Sequence, residues 1–279
     1  MNDKLRILVS YPYLNARFIK RLSDNRDDLD FFLDCGAFTA WKGGKTITLD
    51  EYCSFVEELP FVPDRYMMLD VVGDPEATWQ NYEAMRKRGL EPVPVLTRGE
   101  TTEALDRYFE TSKLVALGGI AGADAASYAW TAKMVQHAAG RHTHVLGFTA
   151  LDWIKHLRPW SCDSSSWLSA ARYGSMIVYL GHGRMKVVKP RELTKLDTRI
   201  AERVRRYGFD PYEVGKKHAG VGNNSLWQTI STYSWLEYAM DQERQIGVRL
   251  YLAMTTEHWF DHLLRCYRAV QEARAKRAA

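Results

Sequence analysis

Three aspartates stand where a run of apolar residues stops: Asp34 follows FFL, Asp70 follows MML and Asp163 ends the short run WSCD. A carboxyl group in such a place can pass a proton, attack an electrophilic carbon or accept hydrogen bonds from a polar ligand. Two carboxyls about 5 Å apart are enough for double displacement at a glycosidic carbon, one attacking while the other shuttles the proton. Taken singly, each has a plainer alternative, a buried Asp bonded to loop amides. Three of them at three strand ends point to one cavity. Glycines accompany them: Gly36 beside Asp34, the pair Gly118–Gly119, and Gly147. Glycine at a strand end lets a ligand approach the backbone closely, and its alternative is a tight turn, the reading favoured for Gly122. Phe38 and Phe148 offer aromatic faces to a flat ligand, with core packing the plainer reading of a lone aromatic.

The elements that must position these residues repeat one pattern, an apolar run, a turn, then an amphipathic stretch. Strands are expected at 6–11, 31–36, 65–72, 92–96, 113–119, 144–148 and 160–164, with an eighth at 248–255. Helices are expected between them. One is LDEYCSFVEEL, with Asp50 in its first turn, and another is ADAASYAWTAKMVQHAAG. In DPEATWQNYEAMRKRG acids come first, bases last, and Gly89 stands as the stop. Alternating strands and helices argue for a parallel sheet covered by helices. Eight strands favour an α/β TIM (β/α)8 barrel, in which catalytic groups come from the carboxyl ends of strands. The alternative is an open α/β sheet, but no G-x-G-x-x-G follows the first strand. Residues 1–279 are read as a single domain, with a basic, aromatic-rich insertion over 175–246 before the last strand and a helix at 257–277 closing the barrel.

Composition narrows the class. Hydrophobic residues make up 46% and charged residues 26%, with a net charge of +4, which argues against disorder. No apolar run approaches the ~20 residues of a membrane helix. The start lacks the long apolar core of a signal peptide, and four scattered cysteines without a C-x-x-C suit a reducing compartment, so a cytoplasmic location is expected. Charge is unevenly spread. Residues 1–183 carry 20 Lys/Arg against 23 Asp/Glu, whereas residues 184–279 carry 18 against 11. The stretch 184–206 holds nine bases and three acids, either a solvated helix face or a surface that tracks phosphates. His258, His262 and Cys266 fall at i, i+4 and i+8, so one helix face can present all three. Core residues interleave with them and no fourth ligand is near in sequence, so no metal is assigned.

Five segments, taken in order, carry a family resemblance. DCGAF (34–38) resembles the D-S-G-G-F/Y motif of the tRNA-guanine transglycosylases, and MMLDVVGDPEAT (67–78) resembles their M-x-x-D-E-C segment. LVALGGIAG (114–122) is similar to A-I-G-G-L-A-V-G, and HVLGFTALDWI (144–154) to L-M-G-V-G-x-P-x-D-I. CDSSSWLSAARYG (162–174) resembles F-D-C-V-x-P-T-R-x-A-R-x-G, with Arg172 and Gly174 nine and eleven places after Asp163. Residues 249–273 resemble the family's closing strand and helix. The departures are equally specific. The zinc-binding C-x-C-x-x-C and its His are missing, Thr97–Arg98 replace a Gln after strand four, and Ser and Trp replace the Thr-Arg pair after the nucleophile. A short, zinc-free member with a basic insertion looks most like the phage-type DNA transglycosylases. Those exchange guanine in DNA for a 7-deazaguanine such as preQ0, shielding phage DNA from restriction.

The resemblance implies a role for each residue. Asp163 is the nucleophile that forms a glycosyl–enzyme intermediate, and Asp34 is the general acid/base. Asp70 accepts hydrogen bonds from the guanine ring N–H and exocyclic amine, which disfavours adenine. Gly118, Gly119 and Gly147 present backbone to the base, and Phe38 with Leu146 or Phe148 sandwiches its ring. A guanine inside a duplex must be flipped out or taken from a single strand. Arg172, Arg184, Lys186, Lys189 and Arg191 are the expected phosphate contacts, and Trp167 either fills the space left by the base or packs in the core. The expected partners are DNA, free guanine and the free 7-deazaguanine base, with no cofactor and no membrane. Alternatives are a tRNA-guanine transglycosylase, a TIM-barrel glycosidase using the same carboxylate pair, and an inert nucleic-acid-binding protein on the same scaffold.

Overall fold

A computed structural model describes residues 4–120, 124–147, 151–169, 173–189, 192, 197–216 and 224–278. The chain divides into two compact units, residues 1–164 with 250–257, and residues 165–249 with 258–279.

The first unit is an eight-stranded, all-parallel curled sheet alternating with helices, a TIM-like (β/α)8 arrangement. Its strands are β1 (Leu5–Ser10), β2 (Leu29–Asp34), β3 (Arg65–Tyr66), β4 (Val95–Thr97), β5 (Leu114–Gly118), β6 (His142–Val145), β7 (Ser161–Ser164) and β10 (Arg249–Met254). They run in the order β3-β2-β1-β10-β7-β6-β5-β4, so the last strand in sequence inserts between the first and the seventh. Between the strands lie α1 (Ala16–Asp24), α2 (Ala37–Lys42), α3 (Leu49–Glu58), α4 (Pro75–Lys87), α5 (Thr102–Phe109), α6 (Ala125–Ala138) and α7 (Leu151–Leu157). Local chemistry sets their ends. Asn15 caps α1 by accepting from Phe18 N–H, and Thr48 with Glu51 forms a reciprocal capping box on α3. Asp74 caps α4 with Pro75 in its first turn, and Gly89 beyond its end takes φ +87°. Every residue of β5 and β7 is buried, as strands covered on both faces must be.

All eight expected strands exist, and six are shorter than their apolar runs, the third and fourth with an evident cause. The third keeps single sheet bonds at Met67 and Met68 past Tyr66 and then stops, because α4 claims the backbone beyond: Asn81 Nδ2 donates to Leu69 O at 3.0 Å and Thr78 Oγ1 accepts from Val71 N–H at 2.8 Å. The fourth starts late because Pro92 and Pro94 have no N–H to donate. The two ends of the curled sheet meet at one bridge, Met67 against Val93, where Val93 N–H donates to Tyr66 O and Met68 N–H to Val93 O.

The second unit holds the antiparallel pair β8 (Met176–Tyr179) and β9 (Met185–Val188), followed by α8 (Thr198–Arg206), α9 (Pro211–Lys216), α10 (Asn224–Ile246) and most of α11 (Glu257–Ala278). Its core gathers Met176, Val178, Val188, Ile200, Val204, Val214, Trp227 and Ile230. Ser231 on α10 accepts from Ile177 N–H at 2.9 Å, which fixes that helix on β8. The C-terminal helix, expected to close the barrel, falls from His258 onward in this second unit. The basic stretch 184–206 is not one helix face: its first part is β9 and its last part α8, whose Ile200 and Val204 are buried. Among the described residues no helix is long and apolar enough to cross a membrane.

Candidate active site

In a parallel sheet all carboxyl ends lie on one side, so residues that finish different strands share one rim. Ser10 ends β1, Asp34 ends β2, Asp163 lies in β7, and Asp70 follows the β3 segment. Register brings Ser10 directly beside Asp34, and Ser10 Oγ donates to Asp34 Oδ2 at 2.5 Å. Burial is the largest influence on Asp34 and pushes its carboxyl up to about 6. The negative charges of Asp70 and Asp163 push the same way, against the Ser10 hydroxyl and the Gly36 N–H. Asp34 thus feels the charge of both other aspartates. Gly36 is compelled to be glycine: it sits at φ +77°, and a Cβ there would lie 2.3 Å from Pro12 Cδ.

Asp70 is held by a residue that sequence reasoning left aside. The Cys35 thiol donates to Asp70 Oδ1 at 3.0 Å. Burial raises the Asp70 carboxyl, and the thiol hydrogen bond opposes that rise. The thiol itself is driven well up, first by burial and then by Asp70 and Asp34. Cys35 is thus a neutral donor, not a nucleophile.

Asp163 is 5% exposed. Its Oδ1 accepts from Gly147 N–H at 2.8 Å and lies 3.3 Å from His144 Nε2. Gly147 adopts φ +63°, which turns its N–H toward the carboxyl. His144 is fully buried, with Nδ1 2.8 Å from Ser161 Oγ and its ring 4.8 Å from that of Phe32. Among the described residues no Lys or Arg pairs with any of the three aspartates.

The other expected site residues are distributed as follows. Gly118 is buried at the end of β5, its carbonyl accepting from Arg98 N–H, and a Cβ on it would lie 3.1 Å from Val95 and 3.4 Å from Leu146. Gly119 is exposed at φ +73°. Leu146 is partly buried and donates its N–H to Leu117 O. Phe38 is 44% exposed on α2, stacked on Trp41 at 6.0 Å with Lys42 Nζ 4.8 Å above its ring. Phe148, Gly122, Arg172 and Arg191 lie outside the described residues.

In the second unit, Arg184 and Lys189 are exposed, and Lys186 pairs with Glu192 at 3.6 Å. Trp167 is fully buried against Trp259, so its side chain belongs to the core and does not wait to fill an emptied base site. His262 Nε2 faces Thr232 Oγ1 at 3.1 Å, and burial lowers that imidazole to about 4. Among the described residues no group of three or more His, Cys, Asp or Glu is placed to hold a metal ion.

Ser10, Cys35 and His144 are the residues that sequence reasoning missed at this site. Each becomes visible only once strand neighbours are known: Ser10 beside Asp34, and His144 beside Ser161. Together the arrangement offers a carboxyl raised to about 6, a second carboxyl bonded by the Gly147 amide with an imidazole 3.3 Å away, and a third tied to a thiol. Comparison with protein-family models, with curated proteins and with solved structures finds no match to this chain.

Proposed function

We propose that the protein is a base-exchange transglycosylase that replaces guanine in DNA with a 7-deazaguanine of the preQ0 type. The observation that carries this reading is Asp34. Its carboxyl is raised to about 6 within reach of the charges of Asp70 and Asp163. A group poised there can give a proton to a leaving base and take one from an incoming base at the same working pH. Asp163 attacks the anomeric carbon of the deoxyribose, forming a C–O bond as the bond to guanine breaks. Guanine leaves with the proton from Asp34. The incoming base returns its ring N–H proton to Asp34 and displaces the Asp163 carboxylate, which restores both groups and retains configuration. The Gly147 N–H, bonded to Asp163 Oδ1, orients the attacking carboxylate. Asp70 accepts from the ring N–H and amine of guanine, donors that adenine does not present together.

The five ordered motif resemblances support the choice of a purine over a carbohydrate. The test incubates the protein with DNA, or with tRNA, and a candidate 7-deazaguanine, and measures the nucleosides by mass spectrometry after digestion. The expected result is a 7-deazaguanine nucleoside in DNA with an equal amount of released guanine. Incorporation into tRNA alone moves the substrate to RNA. No incorporation into either, under conditions where the protein is folded, overturns the proposal.

A further inference from the structure

The second unit contains a cavity of about 550 Å³ walled by β8, the turn after it, α8, α10 and α11. Four guanidinium groups line it, Arg203, Arg206, Arg244 and Arg274, against two carboxylates, Glu237 and Asp241. Both carboxylates are already engaged by the cavity's own walls. Glu237 Oε2 takes the Tyr207 hydroxyl at 3.0 Å and Arg203 at 3.3 Å, while Oε1 lies 3.9 Å from Arg206. Asp241 takes the Tyr179 hydroxyl at 2.6 Å on one oxygen and Arg244 on the other. Each guanidinium carries five donors, so the acids orient the arginines without using up their hydrogen-bonding capacity. The balance of fixed charge on the lining is positive by two.

The walls are built to hold this shape. Tyr179 is buried, and its hydroxyl also accepts from Gly183 N–H at 3.1 Å, so the β8–β9 turn is tied through Asp241 to α10. That turn places three residues in succession in the left-handed region, Gly181, His182 and Gly183. A Cβ on Gly181 would lie 3.1 Å from Arg203 Nη2, so glycine there lets the guanidinium lie against the backbone. His182, at φ +53°, brings a further donor to the cavity wall. Tyr207 and Tyr233 add ring surface, 5.5 Å apart and tilted by 31°.

We propose that this cavity binds a nucleotide unit, its phosphate ester held by the arginine forks and its base against the tyrosines. Planar guanidiniums match phosphate oxygens two at a time, and a net charge of two suits a phosphate monoester or two successive phosphodiesters. Carboxylate ligands share the charge preference but gain nothing from the tyrosine faces, which stack on bases. The volume is that of a small-ligand site. The inference stands apart from the base-exchange chemistry, because it concerns binding at residues distant in sequence from the aspartates.

The same phosphate could belong to a strand or to a free nucleotide, and two probes separate these sources: a single-stranded oligodeoxynucleotide and deoxyguanosine monophosphate. Arg206 and Arg244 are exposed, so substituting them leaves the core intact. With Arg206→Gln and Arg244→Gln combined, oligonucleotide affinity at low salt is expected to fall by tenfold or more. The log–log salt slope is expected to fall by about 1.4, two phosphates at ~0.7 each. Arg206→Lys with Arg244→Lys should keep the slope, because lysine still neutralises phosphate, and lose part of the affinity. Loss of monophosphate binding in parallel assigns the site to a free nucleotide; loss for the oligonucleotide alone assigns it to a strand. Unchanged affinity and slope for both probes, or no binding of either probe to the unsubstituted protein, overturns the proposal. Base exchange measured on the same preparations is a separate readout, so failure of one proposal is not mistaken for failure of the other.

Discussion

Asp30 and Asp34 sit four residues apart on β2, so their side chains leave the same face of one strand. Their neighbours on β1, in register, are Arg6 and Ser10. Near the amino end, Asp30 is met by Arg65 at 2.7 Å, Arg6 at 3.4 Å and the Tyr251 hydroxyl at 3.0 Å. At the carboxyl end, Asp34 receives a serine hydroxyl and the repulsion of two further aspartates. The same side chain is a fastening at one end of the strand and, at the other, a buried acid that holds its proton more tightly than usual. What differs is the partner supplied one strand away, and that is why strand-end aspartates without cations deserve a chemical reading.

The largest effect is expected at Asp163. Asp163→Asn keeps an oxygen to accept from Gly147 N–H, so the fold should persist. Removing a nucleophile should slow exchange by on the order of 10³-fold or more. A covalent protein–DNA adduct should be trapped with the unsubstituted protein and not with the variant, while DNA binding remains. Undiminished exchange would remove Asp163 from the chemistry.

Next come the two β2 aspartates, which should respond in opposite ways. Asp34→Asn should lower exchange by about 10²-fold or more through loss of the proton shuttle. Its stability effect depends on pH. The folded-state value, about 6, lies above the ordinary 3.8. The proton is therefore bound more tightly in the folded protein. That stabilisation is complete below about 3.8 and is lost as pH rises through about 6. The melting temperature of Asp34→Asn relative to the unsubstituted protein should accordingly improve between pH 4 and pH 6.5. Asp30→Asn should instead lower stability and spare exchange. It leaves Arg6 and Arg65 short of a charged partner in a partly buried site and should cost about 1–3 kcal/mol in thermal unfolding. Exchange at low temperature should stay within about twofold. Equal exchange in the two variants would erase the distinction drawn between the ends of β2.

A smaller effect is expected at Asp70. Asp70→Asn must turn a donor toward at least one guanine hydrogen, and a lost charged hydrogen bond costs about 1.5–3 kcal/mol. Exchange of guanine should therefore fall by about tenfold or more, with discrimination against adenine reduced. Competition between guanine and adenine substrates measures both. Unchanged rate and selectivity would leave Asp70 a structural group.

Much of the first unit was legible in the sequence because buried parallel strands advertise themselves as apolar runs, and Asp34, Asp70 and Asp163 stood out at their ends. Strand lengths were less legible. The retreat from Leu69 onward depends on Asn81 and Thr78 reaching back from α4, which no local pattern announces. The supporting groups of the site were hidden for a related reason: Ser10, Cys35 and His144 touch the aspartates across strands, and contact across strands follows sheet order. In the second unit, charge density correctly marked a basic region but not its geometry. Arg244 and Arg274 join Arg203 and Arg206 from helices far along the chain, while Arg184 and Lys189 stand exposed.

The bridge at Val93 has a thermal consequence. β1 and β2 share six paired residues, whereas the ends of the sheet meet at one, between two prolines. Opening of a structure begins where backbone bonds are fewest. Asp70 hangs two residues beyond Met68, at this junction, and Asp34 ends the long β2 ladder. On warming, the residue assigned to reading the base should loosen before the one assigned to moving the proton, so errors in base choice should climb while turnover persists. Amide hydrogen exchange at Met68 and Val93, faster than at Leu8 and Phe32 in the centre of the β1–β2 ladder, is the signature to look for.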